Sequence, residues 1–109
     1  MKKTLFLFVA LFGFSVAAVA EDYYVNITNN TGYTIEYLYV SPGNSDEWQD
    51  DVLGEENVLP NGSTGRVILT GYSGPIFDIR VEDNEGDTYT FPAFNVKEYD
   101  LVVGPDDID

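Results

Sequence analysis

The chain has 109 residues, 44% of them hydrophobic and 15% aromatic, with 19 acidic side chains against five basic ones and no histidine or cysteine. Without imidazole or thiolate there is no Cys or Ser–His nucleophile, no imidazole base and none of the usual ligands for zinc, copper, haem or iron–sulfur clusters, so no cofactor is expected. A formal charge of −14 repels nucleic acid and anionic membrane surfaces, leaving oxygen-ligated hard cations such as Ca²⁺, or basic protein surfaces, as natural partners.

Residues 1–20 read as a signal peptide. Met1-Lys2-Lys3 is a short basic start, Leu5 to Val19 is an apolar run broken only by Gly13 and Ser15, and Ala18-Val19-Ala20 supplies small residues before Glu21-Asp22. Cleavage after Ala20 leaves 89 residues, enough for one domain with a thin core and no disulfide to brace it. All 19 acids then face Arg66, Arg80 and Lys97 alone, a net charge of −16. Such acidity suits a solvated surface in a salty or exported setting, or attraction to a cation or a basic partner.

The domain over 21–105 reads as strands. Tyr23, Val25 and Ile27 share one face of a first strand, and Asn29-Asn30-Thr31-Gly32 carries the residue types of a tight turn into a second strand, Tyr33 to Val40, so a hairpin is expected. On that second strand Tyr33, Ile35, Tyr37 and Tyr39 lie on one face and Leu38 and Val40 on the other, which leaves its inward side open. After Ser41-Pro42-Gly43 the spacing of Trp48, Val52 and Leu53 turns helical, with Ser45 or Asp46 as cap and Gly54 as stop. The spacing predicts a short helix near 46–53, docked on the sheet by Trp48. Arg66 to Thr70 is a third strand. Ile76 to Glu82 is a fourth, with Phe77, Ile79 and Val81 set against Asp78, Arg80 and Glu82. The turn Asp83-Asn84-Glu85-Gly86 leads to Thr88–Phe91, Tyr99–Val103 closes the order, and residues 106–109 are expected to be a disordered acidic tail. About six strands with short links and one helix give an all-β fold, a small antiparallel β-sandwich or open barrel.

Asn29-Asn30-Thr31-Gly32-Tyr33-Thr34-Ile35, then Tyr39-Val40-Ser41-Pro42, then Asp46-Glu47-Trp48-Gln49-Asp50-Asp51-Val52-Leu53-Gly54, with Leu59-Pro60-Asn61-Gly62 and Phe77-Asp78-Ile79-Arg80, form a pattern over about residues 25–82. It resembles a group of small exported bacterial β-rich proteins sharing N-x-T-G-x-x-I, Y-V-S-P and D-x-W-x-x-D-x-L-G. The resemblance implies export and a β fold, and it supplies no catalytic residues. Many members of that group carry a cysteine pair in the second half, which this chain lacks.

Two acidic clusters are candidate Ca²⁺ sites. Asp46, Asp50 and Asp51 crowd the expected helix, and Asp83, Glu85 and Asp87 alternate around a turn; neither has a complete ligand spacing. A carboxylate pair could hydrolyse glycosides, but that chemistry needs a cleft for the sugar. Tyr33, Tyr37 and Tyr39, beside Trp48, are the candidate interaction residues, since exposed aromatics mark interfaces. The expected function is an exported, periplasmic or secreted, non-catalytic interaction or structural domain with a protein partner in the cell envelope. The alternatives are a low-affinity calcium-binding module and a small carboxylate-dependent hydrolase.

Overall fold

The computed structural model describes residues 21–43, 48, 51–53 and 57–109, and they form an all-β structure. The strands are β1 (Glu21–Asn29), β2 (Ile35–Pro42), β3 (Thr64–Tyr72), β4 (Ile76–Asp83), β5 (Thr88–Asn95) and β6 (Leu101–Val103). They make two three-stranded sheets, ordered β3-β1-β6 and β2-β4-β5. One core lies between them. β1 gives it Tyr23, Val25 and Ile27, β3 gives Val67 and Leu69, and β6 gives Leu101 and Val103. The opposite sheet gives Ile35, Leu38, Val40, Phe77, Ile79, Val81 and Tyr89. The period-2 alternation of the sequence is what places these side chains on the inner faces.

Phe77 is fully buried and meets two tyrosines edge-on, Tyr23 with ring centroids 6.3 Å apart and Tyr72 at 4.8 Å. Edge-to-face contacts of this kind add to area burial. Because Tyr23 comes from the other sheet, Phe77 also ties the two layers together.

Four expectations need correction. β1 and β2 are not a hairpin; they belong to different sheets. The corner between them is held by Asn29, which is buried and fully bonded. Its Nδ2 donates to the Tyr33 carbonyl at 2.6 Å and the Leu59 carbonyl at 2.8 Å, and its Oδ1 accepts from Thr31 N and Thr31 Oγ1. Gly32, at φ 92°, then gives its N–H to Asn61 Oδ1. The residue types signal a turn, but a connection that bonds sideways to the 59–63 segment carries the chain across the core instead of back along β1.

The pairing is also not antiparallel throughout, since β1 runs parallel to β6, with Ile27 opposite Leu101. The helix expected near 46–53 falls largely outside the described residues, and the described ones, Trp48, Asp51, Val52 and Leu53, are not helical. Residues 51–53 dock as a strap on the β2 edge. Val52 N donates to the Leu38 carbonyl at 2.8 Å, and Asp51 Oδ1 accepts from Leu38 N at 2.9 Å and Leu53 N at 3.0 Å. Val52 and Leu53 pack on the core while Trp48 stays outside it, 38% exposed. The Val52 N–H that a helix would bond within the segment goes to a strand edge instead.

The tail, last, is ordered. A 3-10 turn, η1 (Pro105–Asp107), leads to a bridge between Ile108 and Tyr89, and Asp109 N donates to the Thr88 carbonyl at 2.8 Å. Unpaired edge groups of β5 seek partners, and the tail provides them.

Candidate functional site

The outer face of the β2-β4-β5 sheet gathers most of the unusual side chains. A β-bulge separates its tyrosines from Ile35, which shares their face in the sequence. Ile35 lies opposite Asp83 and Tyr37 opposite Glu82, so Glu36 is one residue too many on β2. An extra residue reverses the alternation. Ile35 and Leu38 therefore both point inward, and Tyr37 and Tyr39 both point out. The two rings stack, with centroids 6.2 Å apart and planes 10° from parallel, and Tyr37 is 40% exposed.

β4 supplies the polar half of this face. Asp78, Arg80 and Glu82 are half-buried and alternate with the core residues Phe77, Ile79 and Val81. Arg80 lies opposite Tyr39 on one side and Thr90 on the other. Its Nε donates to Thr90 Oγ1 at 3.0 Å, and its guanidinium carbon sits 4.7 Å from the centre of the Trp48 ring. The ring face is electron-rich, so it holds the cation without neutralising it. Asp78 Oδ1 accepts from Ala93 N at 2.8 Å, pinning a non-glycine residue at φ 52° in an irregular stretch of β5.

Asp109 closes the far side. Its Oδ2 accepts from Thr90 Oγ1 at 2.6 Å and Thr88 Oγ1 at 2.8 Å, and its Oδ1 from Thr90 N. The Thr90 hydroxyl bond, helped by Thr88, the Thr90 amide and the charge of Arg80, holds this carboxyl below its ordinary range against a partly opposing burial. The Tyr39 phenol is pushed the other way, upward, by burial and then by the negative charges of Glu82 and Asp51. The face is thus aromatic and set in negative potential.

Of the expected interaction residues, Tyr37, Tyr39 and Trp48 fall on or over this sheet. Tyr33 does not; it sits in the 30–34 corner, 48% exposed, with its carbonyl bonded to Asn29. Arg80 and Glu82 join the site without having been singled out. Their outward alternation was visible in the sequence, but the strand pairing that sets them beside the tyrosines was not.

The candidate calcium ligands are differently employed. Asp46 and Asp50 lie outside the described residues. Asp51 uses Oδ1 to hold the strap on β2. Asp83 is buried and points into the structure: Oδ1 accepts from Glu85 N and Asp87 N, and Oδ2 from the Tyr89 hydroxyl at 2.8 Å. Glu85 and Asp87 are exposed while Asp83 points inward, so the three do not face a common ion. Among the described residues no three acidic side chains are gathered to hold a metal.

Carboxylates do line one open cleft of about 310 Å³, where Asp22, Glu98 and Asp100 meet Tyr23, Tyr24 and Lys97. All three acids are solvent-exposed. An acid–base pair needs two carboxyls in contrasting environments, and these share one.

The outer face of the other sheet provides a contrast. Thr28 and Thr64 hydroxyls bond at 2.7 Å, Arg66 Nε donates to Asn26 Oδ1, Asn26 Nδ2 donates to Asp100, and the Arg66 guanidinium covers Tyr24 at 4.3 Å. Its polar groups bond to one another and Arg66 covers one side of the Tyr24 ring, while Tyr24, Ile68 and Val102 remain exposed as separate side chains and not as a stacked pair. Comparison of the chain with protein-family models, curated proteins and solved structures gives no match.

Proposed function

We propose that this chain is an exported, non-catalytic recognition domain of the bacterial cell envelope, and that it engages a protein partner through the outer face of β2-β4-β5. The observation that carries the reading is the stacked Tyr37–Tyr39 pair, displayed outward opposite buried Leu38 and Val40 and beside Arg80 and Trp48. Flat arrays of tyrosine, tryptophan and arginine are the composition of interface hot spots. Export rests on the basic-apolar-small order of residues 1–20 and on the resemblance to small exported β-rich proteins. The non-catalytic reading is supported by the lack of histidine and cysteine and by the structural use of Asp51 and Asp83.

Capture from the producing cell's own envelope tests it. The chain beginning at Glu21 should retain one partner reproducibly, and Tyr37→Ala/Tyr39→Ala should lose it while keeping the parent's circular dichroism and melting temperature. Equal capture by both forms would refute the assigned face.

A further inference from the structure

We infer that the Tyr37–Tyr39 stack with Glu82 is a seat for an arginine side chain offered by a basic segment of the partner. The inference rests on the recognition reading above and adds the partner's chemistry. The chain itself shows how a guanidinium settles on this fold. Arg66 lies on Tyr24 and Arg80 on Trp48, and each gives its Nε to a neutral oxygen, Asn26 Oδ1 or Thr90 Oγ1. Arg66 and Lys97 lie elsewhere, on Tyr24 and in the cleft beside Tyr23 and Tyr24, and Arg80, although opposite Tyr39, turns its guanidinium to Thr90 and Trp48. Among the described residues the guanidinium–ring contacts are thus made to Tyr24 and Trp48, and not to the stacked Tyr37–Tyr39 pair.

Charge favours the same occupant. Glu82 lies opposite Tyr37, and Asp78, Glu82 and Asp109 outnumber Arg80 on this face. The negative potential is felt at the Tyr39 hydroxyl, whose proton Glu82 and Asp51 help to retain. Arg80 repels a second cation, but it is tied back to Thr90 and lies beside Tyr39, whereas Glu82 marks the Tyr37 end. A planar guanidinium can stack on the rings and present its N–H fork to Glu82 at once, which an ammonium cannot. The net charge of −16 after residue 20 draws such a segment in from a distance.

The test uses the chain from Glu21 and a short synthetic peptide with three arginines spaced by serines, against its citrulline counterpart and a lysine version. Binding is followed by fluorescence anisotropy at low and moderate salt. The arginine peptide should bind, the citrulline one should not, and lysine should bind several-fold more weakly. Tyr37→Ala/Tyr39→Ala should weaken binding at least tenfold and Glu82→Gln about fivefold. Glu85→Gln, an equal charge change on the exposed turn, should stay within twofold. Equal effects of Glu82→Gln and Glu85→Gln with retained binding by the tyrosine variant would reduce the site to diffuse attraction and overturn the inference. Binding of a neutral oligosaccharide to this face in place of the peptide would also overturn it. If the envelope partner is lost on Tyr37→Ala/Tyr39→Ala yet the arginine peptide never binds, this inference fails and the recognition reading stands. Capture insensitive to the tyrosines removes that reading as well.

Discussion

Asp83 and Tyr89 form a buried acid–phenol pair that closes the β4–β5 hairpin from inside. Burial, then the hydrogen bond to Asp83 and its charge, push the Tyr89 phenol from 10.0 up to about 12. The folded state thus keeps a proton that the unfolded chain releases near pH 10, so the contribution is whole below pH 10 and is lost as pH rises through about 12. The melting temperature should fall across that window, and Tyr89→Phe should flatten the fall. At neutral pH the same variant should be less stable by roughly 1–3 kcal/mol, because Asp83 Oδ2 loses its donor in a buried place. Asn29 is a sharper case. Its two acceptors and two donors are all matched, so Asn29→Asp, with no change of size, sets a carboxylate against the Tyr33 and Leu59 carbonyls. Both Asn29→Asp and Asn29→Ala should cost about 3 kcal/mol or more in chemical denaturation. The inward direction of Asp83 was legible in the sequence, since it continues the Phe77-Ile79-Val81 alternation. Naming it a candidate calcium ligand rested on acid spacing around the turn and not on strand period.

Among the elements, strands with clean alternation were legible from sequence alone, and β4 is the clearest. β2 was not, because the inserted Glu36 makes both of its faces look half apolar, and a bulge leaves no mark in residue type. Deleting Glu36 should remove the bulge and leave a strict alternation in which Ile35, Leu38 and Val40 still point inward and Tyr37 and Tyr39 outward, so partner capture should persist. Inserting a residue between Leu38 and Tyr39 should instead turn Tyr39 away from Tyr37 and abolish the stacked pair and the binding. The strap on the β2 edge was read as a helix for want of knowing that Leu38 offers it two backbone bonds. Asp51→Ala removes one of those anchors. The Leu38 amide should then exchange at least tenfold faster while the Ile79 and Val81 amides stay protected, at a cost of about 1–2 kcal/mol. The tail on β5 behaves as a second edge cover. Asp109 has a depressed carboxyl pKa, so its contribution is present above the ordinary aspartate range and lost as pH falls through the lower folded value. Asp109→Asn should remove that acid-side loss and loosen the Thr88 and Thr90 contacts.

Taken as a whole, the molecule is a thin two-sheet core wrapped in negative charge, and self-repulsion should limit its stability in dilute buffer. Screening over about 10 Å at 0.1 M salt should raise the melting temperature, and millimolar Ca²⁺ should add nothing beyond an equal ionic strength of NaCl. Aromatic residues of the candidate face were legible as a stock of tyrosines, but their assembly with Arg80 and Glu82 depends on the β2–β4 register that only the fold supplies. The central claim is that this face, and not the internally bonded face around Tyr24 and Arg66, meets the partner. Hydrogen exchange of the domain alone and in complex with its captured envelope partner measures that directly. Protection is expected over residues 36–41 and 78–82, with β1 and β3 unchanged. Protection concentrated on 24–28 and 64–68, with β2 and β4 unaffected, would contradict it.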